Sequence, residues 1–170
     1  DSLNGEFKWV AQAADLLAKG YTYEMRIKVI ANGDPFGFGV MSGDGQNLSW
    51  FGVRPDDVFT QWSPSALASW GGGANNDDFH VFRVMHAPGA PALSIWKDGV
   101  LLTAAGGVLT PYTTPLLNIG TISTACGVGQ LDYFRWTPGA FEPGPASPRG
   151  TLVSVTGPPP LDLVEAGGYL

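Results

Sequence analysis

The chain alternates apolar and polar residues with a period of two over many short stretches. From Tyr21 to Val29 the odd positions are apolar, and the even positions are Thr, Glu, Arg and Lys. This pattern predicts an antiparallel strand with one buried and one solvated face. Stretches of similar character, separated by turn residues, follow at 36–41, 48–53, 58–62, 79–85, 92–102, 115–120 and 129–136. About eight short strands at this spacing predict a β-sandwich or a barrel.

The strongest turn signal lies in SIWKDGVLLT, residues 94–103, where Asp98-Gly99 interrupts the alternation. An Asp-Gly pair in this position favours a type I′ turn, because both central residues of that turn need a positive φ. The sequence therefore predicts a tight hairpin with a positive φ at Gly99. Its role is to hold two framework strands in register.

The two ends of the chain differ from this strand series. Residues 9–20, WVAQAADLLAKG, are predicted to form a short helix or an irregular leader before Gly20. Beyond Phe141 the sequence becomes rich in Pro and Gly. We therefore expect one β-sandwich domain over residues 1–142, including a leader at 1–20, and a linker or tail over 143–170.

Composition and charge say more about the possible binding partners of the protein than about its fold. The 170 residues carry a formal net charge of −6 and show no cluster of Lys and Arg, which argues against a nucleic-acid partner. No apolar run approaches the roughly 20 residues of a spanning helix, which argues against membrane insertion. The single cysteine, Cys126, excludes an intrachain disulfide and leaves the redox compartment open.

Four motifs follow one another along the chain: FHVFRV (79–84), IWKDGVLL (95–102), LNIG (117–120) and GQLDYFRW (129–136). Their order resembles the laminin-G-like branch of the concanavalin A-like jelly-roll superfamily. The resemblance covers about residues 20–141, with Phe79 standing where the family has Trp. It implies an all-β jelly-roll sandwich of two antiparallel sheets. It also implies a secreted or cell-surface module of a larger chain, whose targeting segment is not part of this sequence.

Enzymatic chemistry finds little support in the residues. Glycosidases on this scaffold usually carry a Glu-x-Asp-x-x-Glu run on one strand, and this chain has none. Polysaccharide lyases of this architecture use a Tyr or His base with Arg and Gln. His80, Arg83, Tyr23 and Gln61 supply those residue types without the family spacing. A carbohydrate-active enzyme, a glycosidase or lyase with its site on the concave sheet around Arg54, Gln61, Trp62 and Arg83, is therefore the alternative to binding.

A non-catalytic, lectin-like role in binding an oligo- or polysaccharide is the favoured prediction. Sugar sites pair an aromatic plane with hydrogen-bonding side chains, and Trp70 lies in a polar segment, 63–78, that is expected to be a loop. Trp70 is predicted to be the stacking platform unless it folds back as a lid over the sandwich edge. A third hypothesis is that the protein is a structural or adhesion module. The predicted ligand-binding residues are Trp50, Arg54, Gln61, Trp62, Trp70, Asn75, Asn76 and Arg83.

The resemblance also implies a structural Ca²⁺. In relatives, an Asp of the closing strand joins carbonyl oxygens around the ion, and Asp132 in LDYFRW takes the matching position. Calcium needs six to eight oxygen ligands, and residues 4–6, Asn-Gly-Glu, are the predicted source of further ones. The alternative is that Asp132 is an ordinary surface carboxylate.

Overall fold

The computed structural model describes residues 6–9, 13–31, 38–63, 66–70, 73–103, 109–120 and 128–144. These residues form two antiparallel sheets and one short helix, which confirms the predicted all-β sandwich. No helix among them is long and apolar enough to cross a membrane.

One sheet has seven strands, and β3 and β4 lie at its centre. Its strands are β1 (Glu6–Trp9), β3 (Phe38–Asp44), β4 (Asn47–Val53), β5 (Val58–Ser63), β6 (Ala66–Trp70), β10 (Thr110–Pro111) and β11 (Pro115–Gly120). The order across the sheet is β1-β11-β3-β4-β5-β6, with β10 paired to β4.

The other sheet has five strands in the order β12-β2-β7-β8-β9. They are β2 (Tyr21–Ala31), β7 (His80–His86), β8 (Ser94–Lys97), β9 (Val100–Thr103) and β12 (Val128–Pro138). The long strand β2 lies beside β12 and β7, and β12 shifts register twice along it. The strands predicted from the alternating stretches are therefore confirmed, and long-range pairing distributes them between the two sheets.

The core lies between the sheets and follows the period-two pattern. Along β2, Tyr23, Met25, Ile27 and Val29 are at most 1% exposed, whereas the residues between them face outward. Such alternation buries one face of a strand and leaves the other free for polar side chains.

The leader contains a helix, α1 (Ala13–Lys19), which supports the helical alternative, while Trp9 belongs to β1 instead. Leu16 anchors α1 in the core. Gly20 ends the helix with a φ of 70°, and its N–H donates to the Leu16 carbonyl at 2.7 Å. A glycine in the left-handed conformation is the usual end of a helix.

The hairpin prediction is confirmed, since φ is 50° at Asp98 and 81° at Gly99. The loop predicted over 63–78 is only partly present, because Ala66–Trp70 forms β6 and pairs with β5. This stretch has no clear apolar alternation, and its backbone pairing in the folded sheet overrides the weak local preference.

Candidate functional site

The outer face of the seven-stranded sheet carries two aromatic rings that lie on glycines. Gly39 of β3 and Gly52 of β4 are directly paired. Trp50 places its indole over Gly39, and Phe59 places its ring over Gly52. A Cβ atom at either glycine would clash with the ring above it. The absence of side chains at these two positions therefore provides the floor on which the rings rest.

Arg54, at the end of β4, lies against the ring of Phe59, a residue that is itself fully buried. Its guanidinium carbon lies 4.8 Å from the centroid of the Phe59 ring, and that centroid lies 6.4 Å from the Trp50 ring. The Nε of Arg54 donates to Asp57 Oδ1 at 2.5 Å, and Nη2 donates to the second carboxylate oxygen. This two-pronged pair fixes the plane of the guanidinium. Trp50 is partly exposed, and the Arg54 side chain is 16% exposed.

Asn75 supports this arrangement from beneath and is itself fully buried. Its Nδ2 donates to the carbonyls of Arg54 and Asp57 at 2.7 and 3.0 Å, and its backbone N–H donates to the Pro55 carbonyl at 2.6 Å. The N–H of Val29 in the opposite sheet donates to the Asn75 carbonyl at 2.9 Å. Asn75 therefore holds the β4–β5 turn, and its predicted contact with ligand stays a prediction.

The structure describes the remaining predicted ligand residues of the seven-stranded sheet and of the segment before β7 less completely. Asn76 is exposed beside Asn75. In backbone register Gln61 pairs with Trp50, and Trp70 pairs with the buried Val58. The side chains of Gln61, Trp62 and Trp70 lie outside what the structure describes.

Arg83 belongs to a different surface, the outer face of the five-stranded sheet. It is opposite Glu24 in register, and its Nε and Nη2 donate to Glu24 Oε2 at 2.9 and 2.6 Å. Tyr133 donates to Oε1 of the same carboxylate at 2.8 Å. Arg83 is therefore not part of one site with Arg54 and Gln61, because β7 and β4 lie in different sheets.

The two tyrosines near these strands are poor candidates for a catalytic base. Burial, followed by the hydrogen bond to Glu24, raises the pKa of Tyr133 to about 12. Tyr23 lies in the core, and burial raises its pKa well above the ordinary value. A base that works near neutral pH needs a pKa shifted in the opposite direction.

Asp132 lies at an irregularity of β12, and its Oδ2 accepts a hydrogen bond from Arg26 Nη1 at 2.5 Å. Within the described ranges, no group of three or more His, Cys, Asp or Glu side chains could hold a metal ion. Residues 4 and 5 of the predicted partner segment lie outside those ranges. In the described structure Asp132 forms an ion pair with Arg26, and its role in holding Ca²⁺ stays a prediction.

Sequence reasoning missed Phe59 and Asp57. The Arg-Pro-Asp-Asp turn between two strands was a readable signal for the pair of Arg54 and Asp57, because a hairpin turn brings residues three apart together. Phe59 gave no such signal, since only the strand register places it on Gly52.

No protein-family model matches this sequence, and no curated protein sequence matches it. Similar solved structures include a native heptameric SAP-like pentraxin from Limulus polyphemus, with 12% identity, a TM-score of 0.50, and coverage of 71% of this chain and 64% of the pentraxin. A variant of human galectin-16 has 9% identity, a TM-score of 0.50, and coverage of 81% and 97%. An alginate lyase from Pseudomonas aeruginosa has 9% identity, a TM-score of 0.39, and coverage of 69% and 64%.

At such identities the likeness concerns the fold alone. The pentraxin and the galectin share with this chain two antiparallel sheets packed face to face. The chain spans less than two thirds of the pentraxin and nearly the whole galectin. Its fold is therefore the concanavalin A-like jelly-roll sandwich.

Proposed function

We propose that this protein binds carbohydrate without catalysis at the outer face of the seven-stranded sheet. The observation that carries the proposal is Trp50, which is partly exposed, rests its indole on Gly39 and neighbours the Phe59 ring on which Arg54 lies. A sugar ring offers an apolar face that stacks on an aromatic plane, and its hydroxyls need donors and acceptors at the rim. We expect Arg54, whose guanidinium plane is fixed by Asp57, to donate to sugar hydroxyls there.

The proposal also covers the type of module and its location, both of which the sequence suggested. We infer a laminin-G-like module of a secreted or cell-surface protein, on the basis of the four ordered motifs. Gln61, Trp62 and Trp70 are retained as candidate ligand residues, because β5 and β6 continue the same sheet beyond Trp50.

A carbohydrate-active enzyme is equally compatible with the fold. The outward positions of β3 and β4 favour binding, because Gly39, Met41, Trp50 and Gly52 carry no carboxylate. Hydrolysis of a glycosidic bond by the usual mechanism needs two carboxyl groups about 5 to 9.5 Å apart. Assays for glycan cleavage by hydrolysis and by elimination therefore accompany the binding measurement. Cleavage of a glycan would contradict binding without catalysis and favour the enzyme.

The test is a glycan array on the full chain, followed by titration of any glycan that binds. Trp50→Ala should lower affinity at least about tenfold, since aromatic anchors dominate many interfaces. Phe141→Ala is the control, because Phe141 is an aromatic that is 54% exposed on the segment after β12. Equal losses in both variants, or no glycan bound at all, would contradict the proposal.

Two further measurements address the remaining predictions. For Trp70→Ala, lost affinity at an unchanged Tm supports a stacking platform, whereas a lower Tm at unchanged affinity supports a lid.

For Asp132, the Ca²⁺ proposal gains support if Tm rises on adding Ca²⁺ and falls on chelation. An unmoved Tm favours the ion pair with Arg26.

A further inference from the structure

His80 lies at the start of β7 with both ring nitrogens against carboxylates. Nδ1 lies 2.6 Å from Asp98 Oδ2, and Nε2 lies 2.9 Å from Asp77 Oδ1. A neutral imidazole has one N–H and can donate to only one of these oxygens. The doubly protonated ring donates to both carboxylates. It is therefore the form whose N–H groups both have an acceptor in this geometry. The side chain is 16% exposed, so these contacts are partly sheltered from water.

These contacts join three elements: the segment 73–79 before β7, the start of β7, and the β8–β9 turn. The second carboxylate oxygen of Asp98 accepts the Val81 N–H at 2.9 Å, and the Asp98 N–H donates to the Val81 carbonyl at 2.8 Å. Asp98 has a φ of 50°. The β8–β9 turn is thus held at Nδ1 of the His80 ring through Asp98, and the segment 73–79 is held at Nε2 through Asp77.

Two lysines from the framework strands hold the same segment. Lys28 of β2 donates to the Asp77 carbonyl at 3.0 Å, and Lys97 of β8 donates to the Ala74 carbonyl at 2.6 Å. Asp78 accepts the N–H of Phe79 instead. Among the described residues, these bonds bring together two carboxylates that contact the His80 ring and two ammonium groups that hold the segment before it.

The segment 73–79 is also the one that supports the candidate site. Asn75, two residues before Asp77, bonds the carbonyls of Arg54 and Asp57. A displacement of the segment would withdraw this support from the turn that presents the Arg54 guanidinium. His80 is thereby linked to Arg54 through its contact with Asp77, the backbone from Asp77 to Asn75, and the hydrogen bond from Asn75 to the Arg54 carbonyl.

We propose that doubly protonated His80 is a positioning residue for Arg54, and that loss of the ring proton loosens segment 73–79 and weakens ligand binding. Without the second N–H, one of the two carboxylates faces a ring lone pair, and that contact is lost. The hydrogen bond to His80 is also the main cause that lowers the pKa of Asp77. The ligand effect rests on the proposed function, whereas the loosening of the segment does not.

Amide hydrogen exchange and ring ¹⁵N shifts of the full chain test the loosening without any ligand. We expect a doubly protonated His80 ring wherever the Asn75 and Val29 amides are protected. As the ring loses its proton with rising pH, their exchange should accelerate about tenfold or more beyond the intrinsic pH dependence, as expected for one lost charge-assisted hydrogen bond. A neutral ring with the segment still protected would overturn the proposal.

Two neighbouring carboxylates provide a matched comparison. Asp77→Asn should accelerate exchange at Asn75 at low and high pH alike, and His80→Gln should do the same. Asp78→Asn removes an equal charge one residue away without touching the ring, and it should leave exchange near the wild-type level. Equal acceleration by both Asp variants would reduce the effect to net charge and refute a specific contact.

The affinity for the glycan identified on the array should fall over the pH range in which His80 loses its proton, and should be independent of pH in His80→Gln. If segment 73–79 loosens while the affinity stays constant, the link to Arg54 is wrong. If the array identifies no glycan, the proposed function fails, and the exchange measurements still decide whether His80 fastens the segment.

Discussion

Asn75→Ala tests whether the buried asparagine is structural or contacts ligand. The substitution removes an amide that is wholly buried and donates at 2.7 and 3.0 Å to the carbonyls of Arg54 and Asp57. Asp57 O keeps a donor, because the Arg54 N–H also bonds it at 2.9 Å. The main loss therefore falls on the Arg54 carbonyl and on the packing of the turn.

The magnitude follows from two opposing effects. A buried acceptor that loses its partner costs about 1 to 3 kcal/mol. The Asn75 Oδ1 is itself buried without a hydrogen-bond partner in the described part of the chain, so its removal returns part of that cost. We expect a net loss of about 1 to 2 kcal/mol, which corresponds to about 2 to 8 °C in Tm for a chain of this size.

The assay is urea unfolding and thermal melting of Asn75→Ala beside Asn76→Ala. Asn76 is exposed and makes no hydrogen bond within the described residues, so its replacement should change stability by less than about 0.5 kcal/mol. If Asn75→Ala melts like the wild type but loses glycan affinity, Asn75 contacts the ligand and the structural assignment is refuted. Equal destabilisation in both variants would refute the contrast between the two positions.

Three further predictions concern the glycine beneath the Phe59 ring, the loss of stability at alkaline pH, and the Asp98-Gly99 hairpin. Gly52→Ala should cost about 1 to 3 kcal/mol in urea unfolding by displacing the Phe59 ring, whereas Gly144→Ala, with no atom within 4 Å of its Cβ position, should cost almost nothing. Because folding raises the Tyr133 pKa to about 12, its contribution to stability is complete below about pH 10 and disappears as pH rises toward 12. Tyr133→Phe should therefore lose less stability than the wild type over that range, and parallel curves would contradict this. Gly99→Val meets no neighbouring atom but is strained at a φ of 81°, so it should cost about 1 kcal/mol or more, and an unchanged Tm would argue against this turn.

The fold was predictable because its two main signals are local. Alternation along Tyr21–Val29 depends only on which face of the strand is buried, and Asp98-Gly99 specifies a turn through its own backbone. Strands β1 and β6 were not predicted, because they are short edge strands without clear alternation. Their conformation depends on pairing with β11 and β5.

The candidate site was only partly predictable, because alternation tells inside from outside but not one sheet from the other. Arg54 and Arg83 both read as outward-facing cations near strands, yet β4 and β7 pair within different sheets. Asn75 sits in a polar segment and therefore reads as exposed. Its burial depends on backbone carbonyls that the β4–β5 turn brings to it.

Two aromatic rings at the five-stranded sheet are each covered by an arginine, which argues against them as the ligand plane. On the five-stranded sheet the Arg135 guanidinium lies 4.4 Å from the Tyr133 ring centroid, and Arg26 lies 4.8 Å from that of Phe79. A sugar stacking on either ring would first displace a cation whose attraction to the ring is about 0.5 to 1 kcal/mol at an exposed site. Trp50 is partly exposed, and its indole lies on Gly39. We therefore expect Trp50→Ala to lower glycan affinity, and Tyr133→Ala and Phe79→Ala to leave it near the wild-type level. Equal losses in all three variants would contradict Trp50 as the ligand plane.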